Sequence, residues 1–148
     1  MSFKEKVSIY KSGSLYFLGS VFQSAVPFIL LPILTGKLNS TQFGEYSLIL
    51  VISNFFGAFF YLGMSSALSR SYFDYDEEKK RNTVFNLSVI VIFLGAFAQT
   101  LVGLILGDTI SSLFFGKSDY GSEVFWALFA SSINFLIIHF ITYFRLIK

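Results

Sequence analysis

A handful of side chains with chemical capacity are set into long apolar stretches of this 148-residue chain: Gln23, Asn54, Gln99 and His139, with Arg70 at the edge of one stretch. An amide in an apolar setting either bonds a neighbouring helix or faces a polar cavity, since an unpaired polar group in hydrocarbon is costly. Gln23, Asn54, Gln99 and Arg70 are therefore the candidate cavity residues. An arginine can grip phosphate through two parallel hydrogen bonds, which suits a pyrophosphate head group, or it can snorkel to the membrane interface. His139 is a candidate for proton coupling, although its place near the end of a helix also fits a water-exposed histidine. Nothing pairs a nucleophile with a base, so no catalytic residue is assigned and no enzyme activity is expected. The absence of cysteine excludes disulfides, thiolate chemistry and cysteine metal sites, and one histidine excludes a multi-histidine metal site. No metal or other cofactor is expected. A net charge of +2 is too small to argue for nucleic acid.

These residues need elements that cross a bilayer. Residues 12–36, 46–69, 82–107 and 124–144 contain no Asp, Glu, Lys or Arg, and all the charged residues fall outside them. At about 1.5 Å per residue, roughly 20 apolar residues cross a hydrocarbon core of about 30 Å. A soluble core helix would show a charged outer face. The reading is an all-α, polytopic membrane protein with four transmembrane helices at about residues 14–34, 46–69, 82–106 and 124–144, forming a single membrane domain. The basic leader Lys4, Lys6 and Lys11 precedes a run too long for a signal h-region, so the first helix is expected to be retained. The connection at 35–45 carries the turn formers Gly36, Asn39, Ser40 and Gly44. The longer one at 108–123 contains Leu113, Phe114 and Phe115, which suggests a short helix lying on the membrane surface.

Each span gathers polar or small residues on one face at steps of three and four. The sets are Tyr16, Ser20, Gln23 and Pro27; Asn54, Gly57 and Tyr61; Ser88, Ile92, Gly95 and Gln99; and Ser132, Phe135, His139 and Thr142. A transport cavity and plain interhelical hydrogen bonding both account for such faces. Pro27 and Pro32 each remove a backbone donor and can kink the first helix. Gly103 and Gly107 form a GxxxG, and Ala127 and Ser131 a similar small-residue pair, which suit close helix packing.

Orientation follows from basic residues. With the N-terminus inside, nine (Lys4, Lys6, Lys11, Arg70, Lys79, Lys80, Arg81, Arg145 and Lys148) lie on the cytoplasmic side, leaving Lys37 and Lys117 outside. Both termini are thus expected in the cytoplasm.

Two segments resemble the Wzx-like O-antigen and capsule flippases of the MOP (multidrug/oligosaccharidyl-lipid/polysaccharide) superfamily. FILLPILTGKLNSTQFGEYSLIL, residues 28–50, is similar to that family's first hairpin through Pro27, Pro32, Thr35, Phe43, Gly44 and Tyr46. Gly36 stands where a basic residue often follows the threonine, with Lys37 one place later. LGMSSALSRSYFDYDEEKKR, residues 62–81, resembles the end of the family's second helix. The resemblance implies a part of a larger two-lobed transporter of about 12–14 helices working by alternating access. On that reading the chain is an N-terminal portion, and a truncated, inactive product is one form it takes. The implied activity is translocation of undecaprenyl-pyrophosphate-linked repeat units across the bacterial cytoplasmic (inner) membrane. The implied partners are a lipid-linked oligosaccharide, membrane lipids, and the polysaccharide polymerase and export machinery. A drug/cation antiporter or lipid II flippase of the same superfamily, and a small structural four-helix membrane protein, are the alternatives.

Overall fold

The computed structural model describes residue 21, residues 25–74 and residues 78–146. Among these, all regular structure is helical: α1 (Ala25–Lys37), α2 (Ser40–Tyr61), α3 (Met64–Ser71), α4 (Glu78–Phe115) and α5 (Gly121–Leu146). Residues Tyr16, Ser20 and Gln23, the basic leader and residues 14–20 of the expected first span lie outside the described residues. Three segments are long and apolar enough to cross a membrane: Ser40–Ser71, Lys79–Phe115 and Gly121–Leu146, with Ala25–Lys37 a shorter apolar helix.

The chain divides into two compact units, Met1–Gly44 and Glu45–Lys148. In the first, α1 tolerates both prolines, and Thr35 Oγ1 donates to the carbonyls of Leu31 and Pro32 at 3.0 and 3.3 Å. The connection expected over 35–45 shrinks to Leu38 and Asn39. The reason is a reciprocal cap. Gln42 N–H donates to Asn39 Oδ1 at 2.9 Å and Asn39 N–H donates to Gln42 Oε1 at 3.1 Å, satisfying two backbone donors that a helix start leaves unpaired. Gly36 and Gly44 are helical rather than turn residues.

In the second unit, the second span is broken. Leu62 and Gly63 both adopt positive φ, at 52° and 64°, so α2 stops and α3 starts afresh. The left-handed conformation disfavours a branched-chain Cβ, and glycine supplies the second of the two residues at little strain. Both Ser66 and Ala67 N–H donate to the Gly63 carbonyl, restarting the ladder. α3 then lies against both α4 and α5.

α4 is 38 residues long, about 57 Å at 1.5 Å per residue, so it exceeds the bilayer core. It continues through Asp108 to Phe115, and no separate surface helix occupies the third connection. Reversal takes place within residues 116–120. Gly116 has φ 70°, and the buried Ser111 hydroxyl ties the loop down by donating to the Lys117 carbonyl at 2.7 Å and accepting from Tyr120 N–H at 3.1 Å. Leu113, Phe114 and Phe115, expected in a separate surface helix, belong instead to the last turn of α4.

The α4–α5 hairpin closes on small residues. A Cβ at Gly107 would stand 2.8 Å from the Gly121 carbonyl oxygen, and one at Gly103 would press on Leu128. Beside them is the core of Ile52, Ile110, Val124 and Leu128, flanked by Leu48, Phe56, Val102 and Phe115. Phe55, Phe59, Leu94, Phe97, Leu104, Ile105, Trp126 and Ile137 are exposed. So many exposed large apolar side chains on three spans suit lipid and apolar neighbours, not water.

Candidate functional site

Where α2, α4 and α5 meet, the apolar core gives way to a buried polar seam. Ser88 on α4 and His139 on α5 are 3% and 0% exposed, and Ser88 Oγ lies 3.0 Å from His139 Nε2. About three turns further along α4, Gln99 Nε2 donates to the Leu128 carbonyl at 3.1 Å, and Thr100 and Ser132 pair their hydroxyls at 3.3 Å. Across the other interface the Ser131 hydroxyl donates to the Ser53 carbonyl of α2 at 3.3 Å. These bonds arise because the three-and-four spacing puts Ser88 and Gln99 on one stripe of α4, and Leu128, Ser132 and His139 on the facing stripe of α5.

α2 approaches so closely because glycines face it and lie on it. A Cβ on Gly95 of α4 would come within 2.5 Å of the Phe60 carbonyl oxygen, and one on Gly57 of α2 would overlap the Phe135 ring. Phe135 in turn stacks on Tyr61 at 4.7 Å, and the Tyr61 hydroxyl bonds Ser65 across the α2–α3 break. Phe60, Tyr61, Ile92, Ala96, Gln99, Ser132 and Phe135 enclose a space of about 10 Å³, the room of one water molecule.

The Ser88–His139 pair has the distance of a nucleophile and its base, which the sequence had not suggested. It lacks the remaining requirements. Both residues are shut off from solvent, Ser88 Oγ also bonds the Phe85 carbonyl at 2.7 Å, and His139 Nδ1 has no partner to orient the ring. The pair is an interhelical tie. His139 is not the water-exposed histidine expected from its place near the helix end, because Phe85 and Phe140 pack beside its ring and α4 covers it.

The other sequence-derived candidates separate. Gln99 is 1% exposed and held inside the seam. Asn54 is exposed, its amide donating to the Leu50 carbonyl of its own helix at 2.9 Å, which relieves the donor without engaging another span. Gln23 lies outside the described residues. Arg70 is exposed and lines an open groove of about 670 Å³ with Ser65, Ser66, Ser69, Thr142, Arg145 and Leu146. Thus Gln99, Asn54 and Arg70 do not share one surface.

Aromatic rings brace the Arg70 end. Phe85 and Tyr143 stack at 3.5 Å, Tyr72 meets Tyr143 edge-on at 6.4 Å, and the Arg81 guanidinium lies 5.3 Å above the Tyr72 ring. The opposite end is clasped by charge. Lys117 Nζ is 3.6 Å from Glu45 Oε1 and 4.9 Å from the centre of the Tyr120 ring. A hydrogen bond to the Glu45 carboxylate holds the Tyr120 phenol above its usual range, and contact with Tyr120 raises the Lys117 ammonium above its own. Both shifts favour the protonated form, a neutral phenol and a charged ammonium.

The sequence reading also missed Asn134, an exposed amide on α5 beside Phe135.

Three long apolar spans joined by a polar seam define a multi-pass, helical membrane protein. The chain belongs to the polysaccharide biosynthesis protein family, whose sequence profile matches residues 9–148. No curated protein and no solved structure matches it. At the level of that family it is a polysaccharide-related transporter.

Proposed function

We propose that this chain works in flipping a lipid-linked oligosaccharide, carrying undecaprenyl-pyrophosphate-linked repeat units from the cytoplasmic to the outer leaflet of a bacterial inner membrane. The observation that carries the reading is the family match over residues 9–148. The interior agrees with it: its polar groups are hydroxyls, amides and one histidine bonded between helices, which suits movement of helices about a cargo and offers no covalent step. The test uses sealed vesicles containing the protein and a fluorescent undecaprenyl-pyrophosphate-linked trisaccharide. Protein-dependent loss of protection from a membrane-impermeant quencher is expected. Protection equal to that in empty vesicles would refute the reading.

The distribution of basic residues supports a cytoplasmic Arg70 end. Because the chain has no cysteine, a single cysteine at Lys80 reports on this directly. It should react with an impermeant maleimide only after the cells are opened, and labelling of intact spheroplasts would reverse the orientation.

A further inference from the structure

We propose that His139 is an acid-released tie: adding a proton to its ring parts α5 from α4 at Ser88. A count of hydrogens comes first. Ser88 has one hydroxyl hydrogen, and the bond to the Phe85 carbonyl at 2.7 Å uses it. The 3.0 Å contact between Ser88 Oγ and His139 Nε2 therefore runs on a hydrogen of the ring, so Nε2 carries the proton and donates. A neutral imidazole has one such hydrogen, which leaves Nδ1 with a bare lone pair. Nδ1 is buried and has no hydrogen-bond partner among the described residues.

The surroundings suit that form. Phe85 of α4 stacks on the ring at 6.4 Å, and Phe140 of α5 meets it edge-on at 6.3 Å. At those distances neither ring replaces a counterion. Tyr143 of α5 stacks behind Phe85, Tyr72 meets Tyr143, and the Arg81 guanidinium of α4 lies over Tyr72. α3, packed against both helices, carries one charged side chain, Arg70, which is exposed. Both charged groups are cations, and among the described residues no carboxylate bonds the ring. A proton on Nδ1 would create a second N–H with no acceptor and a charge with no counterion, both costly away from water. The charged ring is accommodated where water reaches it, and that requires α4 and α5 to separate here.

The proton need not cross the packed seam. It binds the ring in the parted arrangement and holds it there, and the neutral ring closes the pair again. Release is local: the Gln99–Leu128 and Thr100–Ser132 contacts lie about three turns nearer the closed end of the hairpin, with the Gly103 and Gly107 contacts further still.

One histidine and no cysteine let the ring and the helix separation each be read alone. In bilayers at pH 8, solid-state NMR of the full chain labelled with 15N-histidine should show a proton on Nε2 and a bare Nδ1. A proton on Nδ1 at that pH would overturn the proposal. Nitroxides at L87C and I137C, exposed positions on α4 and α5, report the separation. Between pH 8 and pH 5, the range in which histidine titrates, the population at longer distance should grow about threefold. H139Q offers Ser88 a donor and cannot titrate, so its distances should ignore pH. A parent that ignores pH, or an equal change in H139Q, would sink the tie. Should H139Q lose helicity by circular dichroism, H139F, which cannot titrate either, is held to the same expectation. The tie does not rest on the flippase reading, and a chain that moves no lipid in the vesicle assay still keeps or loses it on these measurements.

Discussion

Gly95→Val should detach α2 from the rest of the second unit. The Cβ alone would sit 2.5 Å from the Phe60 carbonyl oxygen, and that atom belongs to a helix backbone that cannot swing aside as a side-chain tip does. Overpacking of this kind typically costs about 1–3 kcal/mol, and the half-buried Ser131–Ser53 contact and the Gly57–Phe135 fit would be lost with it. Valine's helix propensity exceeds that of glycine by only a few tenths of a kcal/mol, so the clash decides the sign. The measurement is cross-linking of S53C and S131C by a short bis-maleimide, in a chain with no native cysteine. Efficient cross-linking in the parent and at least a fivefold drop in the variant are expected. An undiminished yield would show that α2 docks without the glycine.

Gly107→Val should open the other interface. Its Cβ would meet the Gly121 carbonyl oxygen at 2.8 Å, at the first residue of α5, where the chain has just reversed. The turn has little freedom to retreat, since Ser111 pins it at both Lys117 and Tyr120. Displacement of about an ångström at that end would propagate along α5 and part the Thr100 and Ser132 hydroxyls, now 3.3 Å apart. A T100C, S132C pair should oxidise readily to a disulfide in the parent and poorly in the variant. The control is Gly116→Asn, where the backbone is left-handed but a Cβ meets nothing within 4 Å and asparagine tolerates that conformation. Equal oxidation of parent and Gly107→Val would mean that the glycine pair does not set the hairpin's spacing.

The spans were legible because hydrocarbon excludes charge, and a charge-free stretch says so at once. Gly103 and Gly107 were legible for a related reason: small residues one turn apart mark where helices touch, and both lie on the α4–α5 interface. Boundaries were harder. Asn39 and Ser40 looked like loop formers, yet with Gln42 the same residues start a helix by capping it. The extent of α4 past Asp108 depends on bonds between Ser111 and a loop that only the folded hairpin brings near. Nothing in the apolar run around Leu62 announced a break, because glycine is common inside spans, and only its φ gives it away. Among the candidate site residues, periodicity placed Gln99 correctly on a helix-facing stripe. Burial of His139 followed from aromatic neighbours on two helices, which one helix's spacing cannot reveal.

The interruption at Leu62 and Gly63 leaves α3 as an eight-residue arm about 12 Å long, joined to α2 through only two left-handed residues. The arm is held: it lies against both α4 and α5, and its Leu68 is 1% exposed. What the interruption changes is the helical phase, since a three-and-four count begun at Tyr61 cannot be carried across two left-handed residues to Ser69 and Arg70.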